Sequence, residues 1–180
     1  MSHLLVTNDF PPKVGGIQSY LHELWRRLPP GETTVFTTAY RGAAEWDAEQ
    51  PFRIVRARSP FLGPTPRLVR RIDDLAREVG AEVVLLDPAW PLGAIGPALE
   101  RPYGLILHGA EVTVPARLPF IQLSLRRSLR SASLVIAAGE YPAAQGRYSA
   151  GRPVDATIVP PGVDAVRFRP STARSTRPPT

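Results

Sequence analysis

Three short apolar runs constrain the fold more than any other feature. Val83-Val84-Leu85-Leu86 closes on Asp87, Tyr103-Gly104-Leu105-Ile106-Leu107 closes on His108-Gly109, and Leu134-Val135-Ile136-Ala137-Ala138 closes on Gly139-Glu140. Runs of this kind have no polar face, so they suit strands covered on both sides, as in parallel sheets. Helical spacing separates them. Leu68, Ile72, Leu75, Ala76 and Val79 recur on one helical face before Gly80, Leu118 to Leu129 is amphipathic, and Tyr141 to Ala150 reads as a short helix.

The N-terminal part repeats the pattern. Leu4-Leu5-Val6 is a strand, followed by helical spacing at Ile17, Tyr20, Leu21, Leu24 and Leu28. Thr33 to Thr38 and Phe52 to Ala57 read as strands, whereas Tyr40 to Pro51 and Ser59 to Pro66 read as loops. Pro91 to Leu99 is a weak helix interrupted by Gly93, Gly96 and Pro97, and Thr157 to Val159 is a last strand. Strands alternating with helices predict an α/β chain with a Rossmann-like, doubly wound, mostly parallel sheet. Residues 1–170 form that domain in this reading. Residues 171–180 have no apolar side chain larger than alanine and are expected to be a disordered tail.

Composition removes several function classes. The chain has no cysteine, which excludes disulfides and thiolate metal sites, and no metal-ligand spacing appears. No apolar run approaches the length of a membrane-spanning helix, and no signal peptide is visible, so a cytoplasmic location is expected. The net charge is +6, with Lys13 the sole lysine. Arginines cluster at Arg67, Arg70, Arg71 and Arg77 on one predicted helix, and at Arg117, Arg126, Arg127 and Arg130 on or beside another. Such clusters suit phosphate groups, including those of an anionic membrane surface, or are solvated helix faces. No aromatic stripe or recognition motif supports nucleic-acid binding.

In a doubly wound sheet, ligands bind outside the carboxyl ends of the strands. The chain concentrates its polar and glycine residues there: Asn8-Asp9 with Gly15-Gly16, then Asp87, His108-Gly109 with Glu111, and Gly139-Glu140. Adjacent glycines before a helix let backbone N–H groups approach a phosphate, or solve a turn geometry alone. His108 could hydrogen-bond a sugar hydroxyl or a developing charge, or simply pack. Asp9, Gln18 and Glu111 suit polyol hydroxyls, or satisfy loops and helix caps. His3 and His22 lack comparable context and read as structural or solvated. The dinucleotide, phosphate-loop and nucleophile-elbow motifs are absent.

Asn8-Asp9-Phe10-Pro11-Pro12 with Gly15-Gly16-Ile17-Gln18-Ser19-Tyr20, then His108-Gly109-Ala110-Glu111, then Val159-Pro160-Pro161-Gly162-Val163-Asp164 with Arg167-Phe168-Arg169-Pro170, resemble retaining glycosyltransferases of family 4. Within it the chain is most similar to phosphatidylinositol mannosyltransferases of the second-mannose type. The resemblance implies the N-terminal, acceptor-side half of a two-domain GT-B fold, with no cofactor and no metal. It implies a sugar-nucleotide donor, GDP-mannose, and a phosphatidylinositol-type or other glycolipid acceptor. It places Gly15 and Gly16 against the donor phosphate and sugar, and His108, as the catalytic residue, against the transferred hexose. Asp9, Gln18 and Glu111 fall on the acceptor side, and peripheral attachment at the inner face of the plasma membrane is implied.

The family's paired glutamates, eight positions apart in its second half, have no counterpart, and no two glutamates here have that spacing. The donor-binding half is therefore expected to be absent and the chain inactive alone, whether as a truncated piece, a gene fragment or one part of a split enzyme. A non-catalytic domain binding a lipid head group or a partner, and an unrelated nucleotide binder, are the rival readings.

Overall fold

A computed structural model describes residues 1–110 and 118–163. Seven strands run β1 His3–Thr7, β2 Thr33–Thr37, β3 Arg53–Arg56, β4 Val83–Asp87, β5 Tyr103–Leu107, β6 Leu134–Ala137 and β7 Thr157–Ile158. They form one sheet in the order β3-β2-β1-β4-β5-β6-β7, and every neighbouring pair is parallel. This is the doubly wound, Rossmann-like sheet expected. The strand order reverses direction between β1 and β4, where Thr7 and Asp87 are register partners.

The helices are α1 Gly16–Trp25, α2 Ala43–Ala48, α3 Pro66–Glu78, α4 Pro119–Ser131 and α5 Glu140–Ala150. Successive strand residues point to opposite faces, so the apolar runs split by parity into two cores. Leu4, Val6, Val84, Leu86, Leu105 and Leu107 pack with Ile72 and Leu75 of α3 and Leu125 and Leu129 of α4. Leu5, Leu85 and Ile106 face the other side, with Leu21 and Trp25 of α1 and the ring of Phe10. The start of α3 shows why sequence can set an element boundary. Thr65 accepts a hydrogen bond from the Leu68 amide, and Pro66 occupies the first turn, where its missing N–H costs nothing.

Three expectations need correction. Residues 40–51 are not all loop: Gly42, at φ 71°, leads into α2, whose Trp46 stacks edge-on against Phe10 and His22. The stretch read as a weak helix is a 3₁₀ helix, Leu92–Ala98. Gly93 and Gly96 are needed there, because an added Cβ would lie 2.7 Å from Leu105 and 2.3 Å from the Tyr103 ring. The first helix stops at Trp25, before Leu28. The expected tail, residues 171–180, lies outside the described residues.

Candidate active site

The carboxyl edge of the sheet gathers the first loop, β4 and β5. Asn8, Phe10 and Pro11 in the first of these have distinct jobs. Asn8 pairs with the Leu62 backbone in both directions, accepting from its amide at 2.7 Å and donating to its carbonyl at 3.2 Å. Phe10 is fully buried, against the rings of His22, Trp46 and Phe52. The Arg56 guanidinium donates to the carbonyls of Pro11 and Thr38 and is itself held by Asp47 at 2.7 Å. Lys13 Nζ donates to the Asn8 carbonyl. These bonds fix the loop that presents the glycines.

Gly15 and Gly16 differ in their requirements. A Cβ on Gly15 would sit 2.2 Å from Gln18 Oε1, so the residue is small because Gln18 packs over it. Gln18 Nε2 in turn donates to Asp9 Oδ1 at 2.8 Å. Gly16 is exposed, and a Cβ there would meet nothing within 4 Å. Among the described residues, no packing demands glycine at this position, and they leave the space above the start of α1 open. The Asp9 carboxyl is pushed above its ordinary range, first by burial and then by the negative charge of Asp87.

His108 directly follows β5 and is mostly recessed. Its Nε2 lies 2.5 Å from Asp87 Oδ1, with side-chain exposures of 10% and 0%. Thr7 Oγ1 donates to Asp87 Oδ2 at 2.7 Å and accepts from the Asp9 amide at 2.8 Å. Tyr20 places its ring edge-on to the imidazole, centroids 5.6 Å apart, and donates its hydroxyl to the Val159 carbonyl at 2.7 Å. Burial, reinforced by Asp87, raises the Tyr20 phenol to about 12, so it stays a donor throughout the physiological range. A groove of about 760 Å³ opens along α1, lined by Gly16, Ser19 and Tyr20 on one side and Pro160, Pro161 and Val163 on the other.

The structure therefore brings Asp9, Gly15, Gly16, Gln18 and His108 to one edge. Glu111 lies outside the described residues. Arg67, Arg70 and Arg71 are exposed on the first turns of α3. Arg77 lies at the far end of that helix, paired with Asp74 at 2.8 Å and near Glu100 at 3.5 Å. His22 is structural, sharing a 2.9 Å hydrogen bond with Gln50. Sequence reasoning missed Arg56 and Asp47, which read as ordinary strand and loop residues. It also left Asp87 without a partner. Among the described residues, no group of three or more His, Asp or Glu side chains could hold a metal ion. None of the described helices is long and apolar enough to cross a membrane.

The sequence profile of Glycosyltransferase Family 4 matches residues 14–167. The chain is 35% identical over 175 residues to a GDP-mannose-dependent alpha-(1-6)-phosphatidylinositol monomannoside mannosyltransferase of Mycolicibacterium smegmatis. That match covers 93% of this chain and 46% of the relative. The Mycobacterium tuberculosis protein of the same description is also 35% identical, over 180 residues, covering 94% of this chain and 46% of its own. The chain thus spans about half the length of the curated relatives it matches. Among solved structures, the Anabaena protein HepE in complex with UDP superposes with a TM-score of 0.70 at 18% identity, over 96% of this chain and 47% of that one. HepE in complex with UDP-glucose gives 0.67 at 20% identity, with the same coverage.

Proposed function

Because the chain belongs to Glycosyltransferase Family 4, we propose that it forms the acceptor-side half of a retaining mannosyltransferase active site. The donor is GDP-mannose and the acceptor a phosphatidylinositol-type glycolipid. The observation that carries this reading is the space left open above Gly16 by the described residues, at the start of the helix whose Tyr20 packs on a recessed, hydrogen-bonded His108. A donor phosphate can approach the unpaired amides at the start of α1, where the helix dipole favours negative charge. The hexose then meets His108, and the acceptor hydroxyl is oriented by Asp9 and Gln18, with Glu111 assigned to the same side.

In transfer, the bond from the anomeric carbon to the donor phosphate breaks through an oxocarbenium-like state. The acceptor oxygen bonds to the same face, and its proton passes to the departing phosphate oxygen. The protein's part is orientation and charge stabilisation. These 180 residues supply one wall of such a site, so the chain alone is expected to be inactive. Arg67, Arg70 and Arg71 are assigned to an anionic membrane surface, each contributing on the order of 1 kcal/mol, while Arg77 contributes less because carboxylates already hold it.

A chimera tests the reading: the chain followed by the C-terminal portion of the Mycolicibacterium smegmatis relative. It is expected to transfer mannose from GDP-mannose to the lipid acceptor, while the chain alone does not. Gly16→Ala and His108→Ala should each lower kcat in the chimera, the latter by about 10²–10³. A chimera that folds, binds GDP-mannose and makes no mannolipid sinks the mannosyltransferase reading. Sedimentation with anionic and neutral vesicles tests the arginine face, and equal binding to both would remove that assignment.

A further inference from the structure

Asp87 is fully buried and lies where the strand order reverses, beside its register partner Thr7. A carboxylate this deep is tolerated only when hydrogen bonds replace its hydration. One oxygen accepts from Thr7 Oγ1 at 2.7 Å and the other faces His108 Nε2 at 2.5 Å. With Asp87 as the acceptor, the hydrogen of this bond is the one on Nε2. The Thr7 hydroxyl uses its single proton on Asp87 and a lone pair on the Asp9 amide, 2.8 Å away. The result is one unbroken chain of hydrogen bonds from the loop before the glycines, through β1 and β4, to the histidine after β5.

We propose that Asp87 is the positioning residue for His108, and that Thr7 joins this pair to the glycine-turn loop so that both sides of the site keep one geometry. Among the described residues, the imidazole is then held by Asp87 of β4 at Nε2, by the Tyr20 ring of α1 against its plane, and by β5 through its backbone. Among the described residues, the charged groups coupled to this pair include Asp9, whose carboxyl senses both Asp87 and His108, and Lys13, which acts on Asp9. Preset orientation of a donor is worth most when charge develops in a site that excludes water. The consequence for sugar transfer rests on the functional reading above, whereas the positioning itself does not.

Proton NMR on the 180-residue chain carrying ¹⁵N-histidine tests the positioning directly, with His108 assigned by comparison with His108→Gln. The wild-type chain is expected to show a downfield Nε2–H resonance protected from exchange with water. Asp87→Asn should abolish that protection while the amide spectrum stays folded. Absence of the signal in the wild type, or its persistence in folded Asp87→Asn, overturns the proposal.

Thr7→Val leaves the Asp87–His108 contact in place. It should retain the ring signal and speed exchange of the Asp9 amide about tenfold, the equivalent of one lost hydrogen bond. Unchanged Asp9 exchange would disconnect the loop from the pair. In the chimera, Asp87→Asn should lower kcat about tenfold with KM within about twofold, as expected for lost orientation of a transition-state donor. If the ring signal behaves as described but His108→Ala leaves turnover intact, the positioning stands and the sugar-contact reading falls.

Discussion

Gly15 and Gly139 open α1 and α5 with nearly the same extended backbone, φ 168° and ψ 169° against φ 166° and ψ 178°. Neither helix start has a side-chain cap. Their surroundings differ. A Cβ on Gly15 would meet Gln18 Oε1 at 2.2 Å, whereas among the described residues one on Gly139 would meet only Pro142 at 3.9 Å. The loop before α1 is tied by Asn8 to Leu62, by Arg56 to Pro11 and by Thr7 to Asp9. The two turns look alike in sequence, a strand followed by glycine and a helix. The first is braced by two distant parts of the chain, at Leu62 and Arg56, and by Thr7 at its own base, and that bracing, more than the glycines, marks it as the place where geometry matters. Predictions that separate the two turns follow, from largest effect to smallest.

Removing the ring under the braced loop should do the most damage. Phe10→Ala empties a site contacted by His22, Trp46 and Phe52. Truncation of a buried Phe costs ~3–5 kcal/mol. At ~2–4 °C per kcal/mol for a chain of this size, the melting temperature should fall by roughly 10 °C. Calorimetry or thermal circular dichroism checks this, and a loss under ~1 kcal/mol would mean the loop is not braced from below.

Next is Gly15→Ala. The added methyl displaces the Gln18 amide, a flexible end, so the cost is the Gln18–Asp9 hydrogen bond and not a backbone rearrangement. One hydrogen bond to a carboxylate is worth ~1.5–3 kcal/mol when buried, and less for this half-buried pair, so a loss of about 1 kcal/mol is expected. In a Gln18→Ala background the penalty should vanish. Persistence of the full penalty there would move the cause from Gln18 to the backbone.

These contrasts also show what a sequence reveals. Strands β4 and β5 were legible because burial on both faces leaves the runs Val83 to Leu86 and Tyr103 to Leu107 without a charged residue. Helix α2 was not legible, because its six residues are held by Trp46 packing on Phe10 and His22, a contact between distant segments. For the same reason His108 was legible as a residue at a strand end, and its partner was not. Pairing it with Asp87 requires knowing that β4 and β5 are neighbours. Arg56 was hidden because an arginine in an alternating strand looks solvated, whereas here it spans from Asp47 to Pro11.

Asp9→Asn probes the braced turn through pH. Burial and Asp87 raise the Asp9 carboxyl above its ordinary 3.8. The folded state therefore holds that proton more tightly than the unfolded chain. The associated stability is complete below about 3.8 and is lost as pH rises through the folded value. Asparagine keeps the acceptor for Gln18 without the charge. At pH 7 the variant should be the more stable, by less than ~1 kcal/mol once solvent screening of this half-exposed group is allowed for. The difference should close below about pH 3.8. Melting curves from pH 3 to pH 8 decide, and a variant less stable than the wild type at pH 7 would reverse the sign of the argument.

Gly139→Ala should do least, and its smallness is informative. Two effects oppose each other at both glycines. Alanine is the poorer residue at a helix start, by up to about 1 kcal/mol. It also restricts the unfolded chain, which stabilises the fold by ~0.4–1 kcal/mol where the native backbone is accessible. The backbone at Gly139, with φ of 166°, is accessible to any residue, and the nearest obstacle is at ordinary contact distance. The two effects should cancel to within about 0.5 kcal/mol, the usual range for a substitution away from special features. The same two effects act at Gly15, so the gap between the two alanine variants isolates what Gln18 contributes. Equal losses at both positions would mean that capping alone sets the cost, and the first turn would then be no more constrained than the second.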